Sequence, residues 1–196
     1  MNIGVIVEGH GETSAVPILI RRILGEQRPG LVVQVPPPLR LSRGKITKPS
    51  ELSRAVELMA RKAGEGSPIL IFIDADDDCP AELGPQLLAV ARSSRSDREI
   101  GVVVAQREFE AWYLASASSL RGIGGLPDDL DAPPNHDQIR DAKGWLAQRM
   151  PSGYAPTVDQ PKFAARFSLD QARANRSFLR CEQLVLRIAV PPAADI

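Results

Sequence analysis

The chain has 196 residues, 43% hydrophobic and 24% charged, which suits one globular core with a modest extension. Its 24 basic and 24 acidic side chains cancel, which argues against a uniformly basic nucleic-acid coat or an acidic tail. The two cysteines, Cys79 and Cys181, lack zinc-site spacing and read as free thiols. No apolar run approaches the ~20 residues of a membrane helix, and no signal-peptide pattern opens the chain, so a soluble, cytoplasmic protein is expected.

In chain order, residues 3–7 form a short β-branched run bounded by glycine, which predicts a buried strand. Thr13 or Ser14 can cap the helix that follows, with Pro17 in its first turn. "LVVQV" at 31–35 predicts a second strand, stopped by Pro36, Pro37 and Pro38, and the basic "LRLSRGKITK" reads as a loop. Ser50 caps a helix whose Leu52, Val56 and Met59 recur at helical spacing.

"PILIFIDADDD" is an apolar run of parallel-sheet character that ends in acids. Pro80 opens a helix to about Ser94, "IGVVVA" at 100–105 makes a fourth strand, and "REFEAWYLAS" reads as a helix leaving its end. Strands alternating with helices predict an α/β fold with a mainly parallel four-stranded sheet. Past Ser119 a loop rich in glycine, proline and acids leads to helices near 137–149, 159–167 and 175–189, and "PPAADI" is expected to fray. The domain reading is therefore 1–120 for the α/β unit and 121–190 for a loop and helical extension packed on it.

Charge follows position. Basic residues dominate from Arg21 to Lys62 and from Gln138 to Arg187, acidic ones from Asp74 to Asp137, a pattern that fits a metal site serving a polyanion or simply solvated helix faces. Parallel sheets bind ligands beyond the carboxyl ends of their strands. Glu8 ends the first strand, Asp74 and Asp76 end the third, and Glu108 and Glu110 follow the fourth, so all five can meet at one edge. Such oxygen donors suit magnesium or manganese. Asp77 and Asp78 read as solvated, and Glu110 can either ligate or face solvent beside Trp112. Phe109, Trp112 and Leu114 read as core, and His10 as a metal contact or an exposed bystander.

Rival motifs fail on spacing. Ser14 stands where a dinucleotide fingerprint needs its third glycine, no Gly-Lys-Ser/Thr ending exists for a P-loop, and Cys79 replaces the turn glycine of a calcium loop.

"VEGHGE" and "DAD" together resemble the first and second motifs of the Toprim superfamily, in the form found in the overcoming-lysogenization-defect nucleases. "REFEAWYLA" and "YAPTVDQPKFAARFSLDQARANRSFLR" resemble a bacterial Toprim-like family often encoded beside an AAA-type ATPase and linked to phage defence. The resemblance implies a Toprim-like domain and a metal-dependent nuclease acting on DNA or RNA, with two magnesium or manganese ions and an ATPase partner. Glu8 would be a ligand or general acid/base, Asp74 and Asp76 would hold metal, Glu12 would complete a second metal position, and Glu108 or Glu110 would add a further acid. Lys162 and Arg176 would neutralise the transition-state phosphate. Tyr113 and Tyr154 are not expected to be strand-transfer nucleophiles, because the 196 residues leave no room for the separate domain that carries such a tyrosine. The alternative is a non-catalytic Toprim module that binds nucleic acid or a protein partner.

Overall fold

A computed structural model describes residues 1–189; the expectation for "PPAADI" lies outside them. Four parallel strands, β1 (Gly4–Val7), β2 (Leu39–Arg40), β3 (Ile69–Asp74) and β4 (Ile100–Ala105), form one sheet in the order β2-β1-β3-β4. The two central strands are buried along their whole length, which is why they read as unbroken apolar runs. Along β3 the side chains alternate. Leu70 and Phe72 join the core under α1 (Glu12–Gln27), while Ile69, Ile71 and Ile73 join the core under α3 (Pro49–Ala63) and α4 (Pro80–Ser94).

The second strand is not where the apolar run predicts it. "LVVQV" contributes only an isolated parallel bridge, Gln34 with Asn2, and the regular pairing lies beyond the prolines, where Leu39 and Arg40 face Ile6 and Val7. Three consecutive prolines have no N–H to give a ladder, so they split the edge strand in two. The basic loop after them also folds, into α2 (Arg43–Ile46).

Two caps differ as well. The first helix starts at Glu12, ahead of Thr13 and Ser14, and Thr13 Oγ1 instead donates to the carbonyl of His10 at 2.6 Å. Pro17 therefore lies beyond the first turn. Pro49 opens α3, so Ser50 is inside the helix and Lys48 precedes it.

After the short α5 (Ala111–Ala115) come two 3-10 turns, then α6 (Ala142–Ala147), α7 (Pro156–Ala164), α8 (Leu169–Ala172) and α9 (Arg176–Ile188). Residues 137–141 are not helical; Asp141 caps α6 by accepting the Gly144 N–H at 2.7 Å. These late helices share one core with the sheet. Trp112 and Tyr113 of α5 pack edge-on against Phe178 of α9 and Phe163 of α7, and Trp112 Nε1 donates to Ser177 Oγ at 2.8 Å. Phe109, Trp112 and Leu114 are buried, as their spacing suggests. No helix among the described residues is long and apolar enough to cross a membrane.

Candidate functional site

The carboxyl ends of β1 and β3 open onto a cavity of about 430 Å³, bordered by Glu8, Glu12, Asp74, Glu110, Arg43 and Lys143. Local structure aims each carboxylate inward. Glu8 directly follows β1, and its Oε2 lies 3.4 Å from the Asp74 N–H, which bridges the two strand ends. The Gly9-His10-Gly11 turn then brings Glu12 back, so that its Oε2 accepts the Glu8 N–H at 3.2 Å. Gly11 is required here by space: any β-carbon would run into Gln160 Oε1 and the Pro156 carbonyl of α7. His10 stays exposed at the mouth.

Asp74 closes the floor. Its Oδ1 accepts the Phe109 N–H at 2.7 Å and its Oδ2 lies 3.5 Å from Lys143 Nζ. Glu108 pairs with the same ammonium at 2.9 Å and also accepts the Lys143 N–H at 3.1 Å. Glu110 is wholly buried rather than solvent-facing. Its Oε1 accepts from Tyr154 Oη at 3.0 Å and Gln160 Nε2 at 3.3 Å; its Oε2 lies 3.2 Å from Lys143 Nζ, at an angle that makes an ion pair but no hydrogen bond.

The electrostatics are lopsided toward negative charge. Burial, with Glu110 and Glu8 repelling it, pushes Glu12 up to about 7. Burial and neighbouring carboxylates also raise Asp74, and burial raises Glu8 and Glu110, although Arg43 and Lys143 respectively oppose the shift. Lys143 is itself partly buried, yet Glu110, Asp74 and Glu108 outweigh desolvation and hold it firmly protonated. Glu12 has no ion-pair partner among the described residues.

Two cations thus partition the acids. Lys143 serves Asp74, Glu108 and Glu110. Arg43 binds the carbonyls of Asp74 and Ala75, pairs with Asp76 at 3.3 Å, reaches Asp78, and lies 3.8 Å from Glu8. Neither residue stood out from the sequence. Arg43 sits in the basic segment taken for a loop, and Lys143 lies 35 residues beyond Glu108 on a helix with no motif of its own. Among the described residues no three acidic, histidine or cysteine side chains form a ready metal cage, and three of the acids share the Lys143 ammonium. The donor chemistry nevertheless fits a hard divalent ion. All donors are carboxylate oxygens, and burial raises the proton affinity of Glu8, Glu12, Asp74 and Glu110, with carboxylate repulsion adding to it at Glu12 and Asp74.

The other expected residues lie elsewhere. Asp76 is half-exposed against Arg43 and does not border the cavity; its φ of 49° is left-handed, as is that of Arg107 at 63°. The pair brace each other, Asp76 N–H to the Arg107 carbonyl and Arg107 Nη1 to the Asp76 carbonyl, both at 2.9 Å. Asp77 pairs with Arg107 at 2.7 Å and Arg140 at 3.0 Å, so it is not merely solvated. Lys162 is not brought to the acids: it pairs with Asp159 at 2.9 Å, one helical turn away. Arg176 borders a separate cavity at the start of α9. Tyr113 is fully buried, donating to the Gln160 carbonyl at 2.8 Å, and Tyr154 is held on Glu110.

No curated protein and no solved structure matches the chain. One family model matches residues 7–185, from the last residue of β1 through nearly all of α9. The chain therefore belongs to the family described as Domain of unknown function (DUF4276).

Proposed function

We propose that the protein is a metal-dependent phosphodiesterase acting on nucleic acid, with a Toprim-like carboxylate centre. The observation that carries this reading is Glu12: a 4%-exposed carboxylate without a cationic partner, facing Glu8 and Glu110 across a cavity. Such a group is costly unless it is protonated or a cation neutralises it.

Glu8, Glu12 and Asp74 would hold the metal, with Glu108 or Glu110 as a further acid, and one or two magnesium or manganese ions would supply a hydroxide at neutral pH and charge stabilisation at the phosphate. Lys143 and Arg43 do the rest of the electrostatic work. Lys143 pairs with three acids, opposing the rise that burial imposes on Asp74 and Glu110, and presents an ammonium to an incoming phosphate. Arg43 clamps the end of β3 through two carbonyls, which holds Asp74 in place. An AAA-type ATPase partner and a role in phage defence belong to the same reading and rest on sequence resemblance.

Supercoiled plasmid nicking tests it, with magnesium, manganese or chelator and an Asp74→Asn variant. Metal-dependent nicking that the variant loses is the expected result; equal nicking by both proteins rejects the site. The second reading is a non-catalytic Toprim module, and one observation favours it. Lys143 already gives Asp74, Glu108 and Glu110 a cationic partner without a metal. Absence of nicking together with metal-independent nucleic-acid binding would select it.

A further inference from the structure

A second cavity, of about 270 Å³, lies where β4 ends and α9 begins. It is walled by Gln106, Asn175, Arg176, Arg180, Gln138 and Asp137. Asn175 caps α9, and its Oδ1 is fully committed, accepting the N–H groups of Ser177 at 3.0 Å and Phe178 at 3.2 Å and the Ser177 hydroxyl at 2.7 Å. The other half of the same amide is not. Asn175 has no exposed surface, borders the cavity, and its Nδ2 is buried without a partner. A buried donor left unmade is expensive, and in native proteins it marks a missing acceptor.

The surroundings say what kind of acceptor. Arg176 and Arg180 stand one turn apart on α9, both exposed, and neither pairs with a carboxylate among the described residues. The start of a 13-residue helix adds its positive end. Asp137 is the one acidic wall, against two guanidiniums. The cradle is also rigid, because Ser177 Oγ accepts the Gln106 N–H at 3.0 Å and the Trp112 indole at 2.8 Å.

We propose that this cavity binds a phosphate group of the polynucleotide, held by Asn175 Nδ2, Arg176 and Arg180. The inference rests on the phosphodiesterase reading. Asp74 pairs in register with Ala105, the residue before Gln106, so the two cavities open beside neighbouring strand ends, about 5 Å apart. A chain entering the carboxylate cavity then reaches α9 with a flanking phosphate, and the site sets how the strand lies across the sheet edge.

The test is equilibrium binding in chelator, so that no metal at the carboxylate centre contributes. The probes are a labelled single-stranded oligonucleotide, its duplex, and inorganic phosphate. The variants are Arg176→Gln/Arg180→Gln, and Asn175→Asp, which keeps the capping oxygen and replaces only the orphan donor. Thermal melting confirms that each variant folds. Both should bind oligonucleotide roughly tenfold more weakly and with a shallower salt dependence, while Arg54→Gln, at an exposed position of α3 that borders neither cavity, binds like the parent. Equal oligonucleotide affinity in all four proteins overturns the site. Weakening confined to inorganic phosphate overturns the assignment to a polynucleotide. Loss of nicking in Asp74→Asn is read separately, so a failed nuclease reading and a failed phosphate site give different results.

Discussion

The Lys143 ammonium stands 3.2 Å from Glu110, a carboxylate with no solvent exposure at all. It joins the C-terminal helices to the acids of the sheet edge. Replacing Lys143 by methionine leaves Glu108, Glu110 and Asp74 mutually repelling, and should lower stability by about 2 kcal/mol, less than a fully buried pair because the lysine is partly exposed. Adding Glu110→Gln should restore part of that loss. Urea denaturation of the two single variants and the double variant measures the coupling directly.

Glu12 makes stability depend on pH in an unusual direction. Its carboxyl titrates near 7 in the folded chain against 4.5 in the reference state, so the folded protein holds the extra proton between those values. Its contribution is therefore full below about pH 4.5 and is lost as pH rises through 7, on the order of 3 kcal/mol in metal-free protein. Melting temperature against pH in chelator should show this decline, and Glu12→Gln should flatten it. An unchanged profile in the variant would remove Glu12 as the cause.

A metal ion should reverse the same penalty. Magnesium or manganese at a hundredfold excess over Kd should raise Tm by roughly 5–10 °C at pH 7.5, with a smaller effect at pH 5, where Glu12 is protonated. Asp74→Asn and Glu12→Gln should each abolish the shift, as read by scanning calorimetry.

Asp74 and Asp76 should separate sharply. Asp74 borders the cavity, whereas Asp76 points to Arg43 with half its side chain exposed. Asp74→Asn should reduce nicking at least a hundredfold, and Asp76→Asn less than tenfold, the orders of magnitude that separate a catalytic group from a surface ion pair. Initial rates at saturating manganese give both numbers; comparable losses would put Asp76 in the metal centre.

Gly11→Ala is the steric counterpart. The added methyl group has nowhere to go between Gln160 and the Pro156 carbonyl, so α1 and α7 must part. A loss of about 2–3 kcal/mol is expected in urea melts, well above the usual effect of adding a methyl group on a surface helix.

β1 and β3 were legible in the sequence because a strand buried on both faces is an uninterrupted apolar run, and its end is marked where acids begin, while β4, half-buried at Val102 and Val104, was legible from its run of valines. That boundary also placed Glu8 and Asp74 correctly at the sheet edge, since strand ends need no knowledge of what packs on them. β2 was misplaced because edge pairing is decided by which backbone groups the prolines leave free, a matter of register with β1 and not of apolarity. The burial of Glu110 and the roles of Lys143, Tyr154 and Gln160 depend on contacts 33 to 50 residues apart in sequence. Only the docking of α6 and α7 against the β4–α5 turn brings those groups together. Local pattern thus determined where charge leaves the strands, and tertiary packing decided which of those charges lost water and which found a cation.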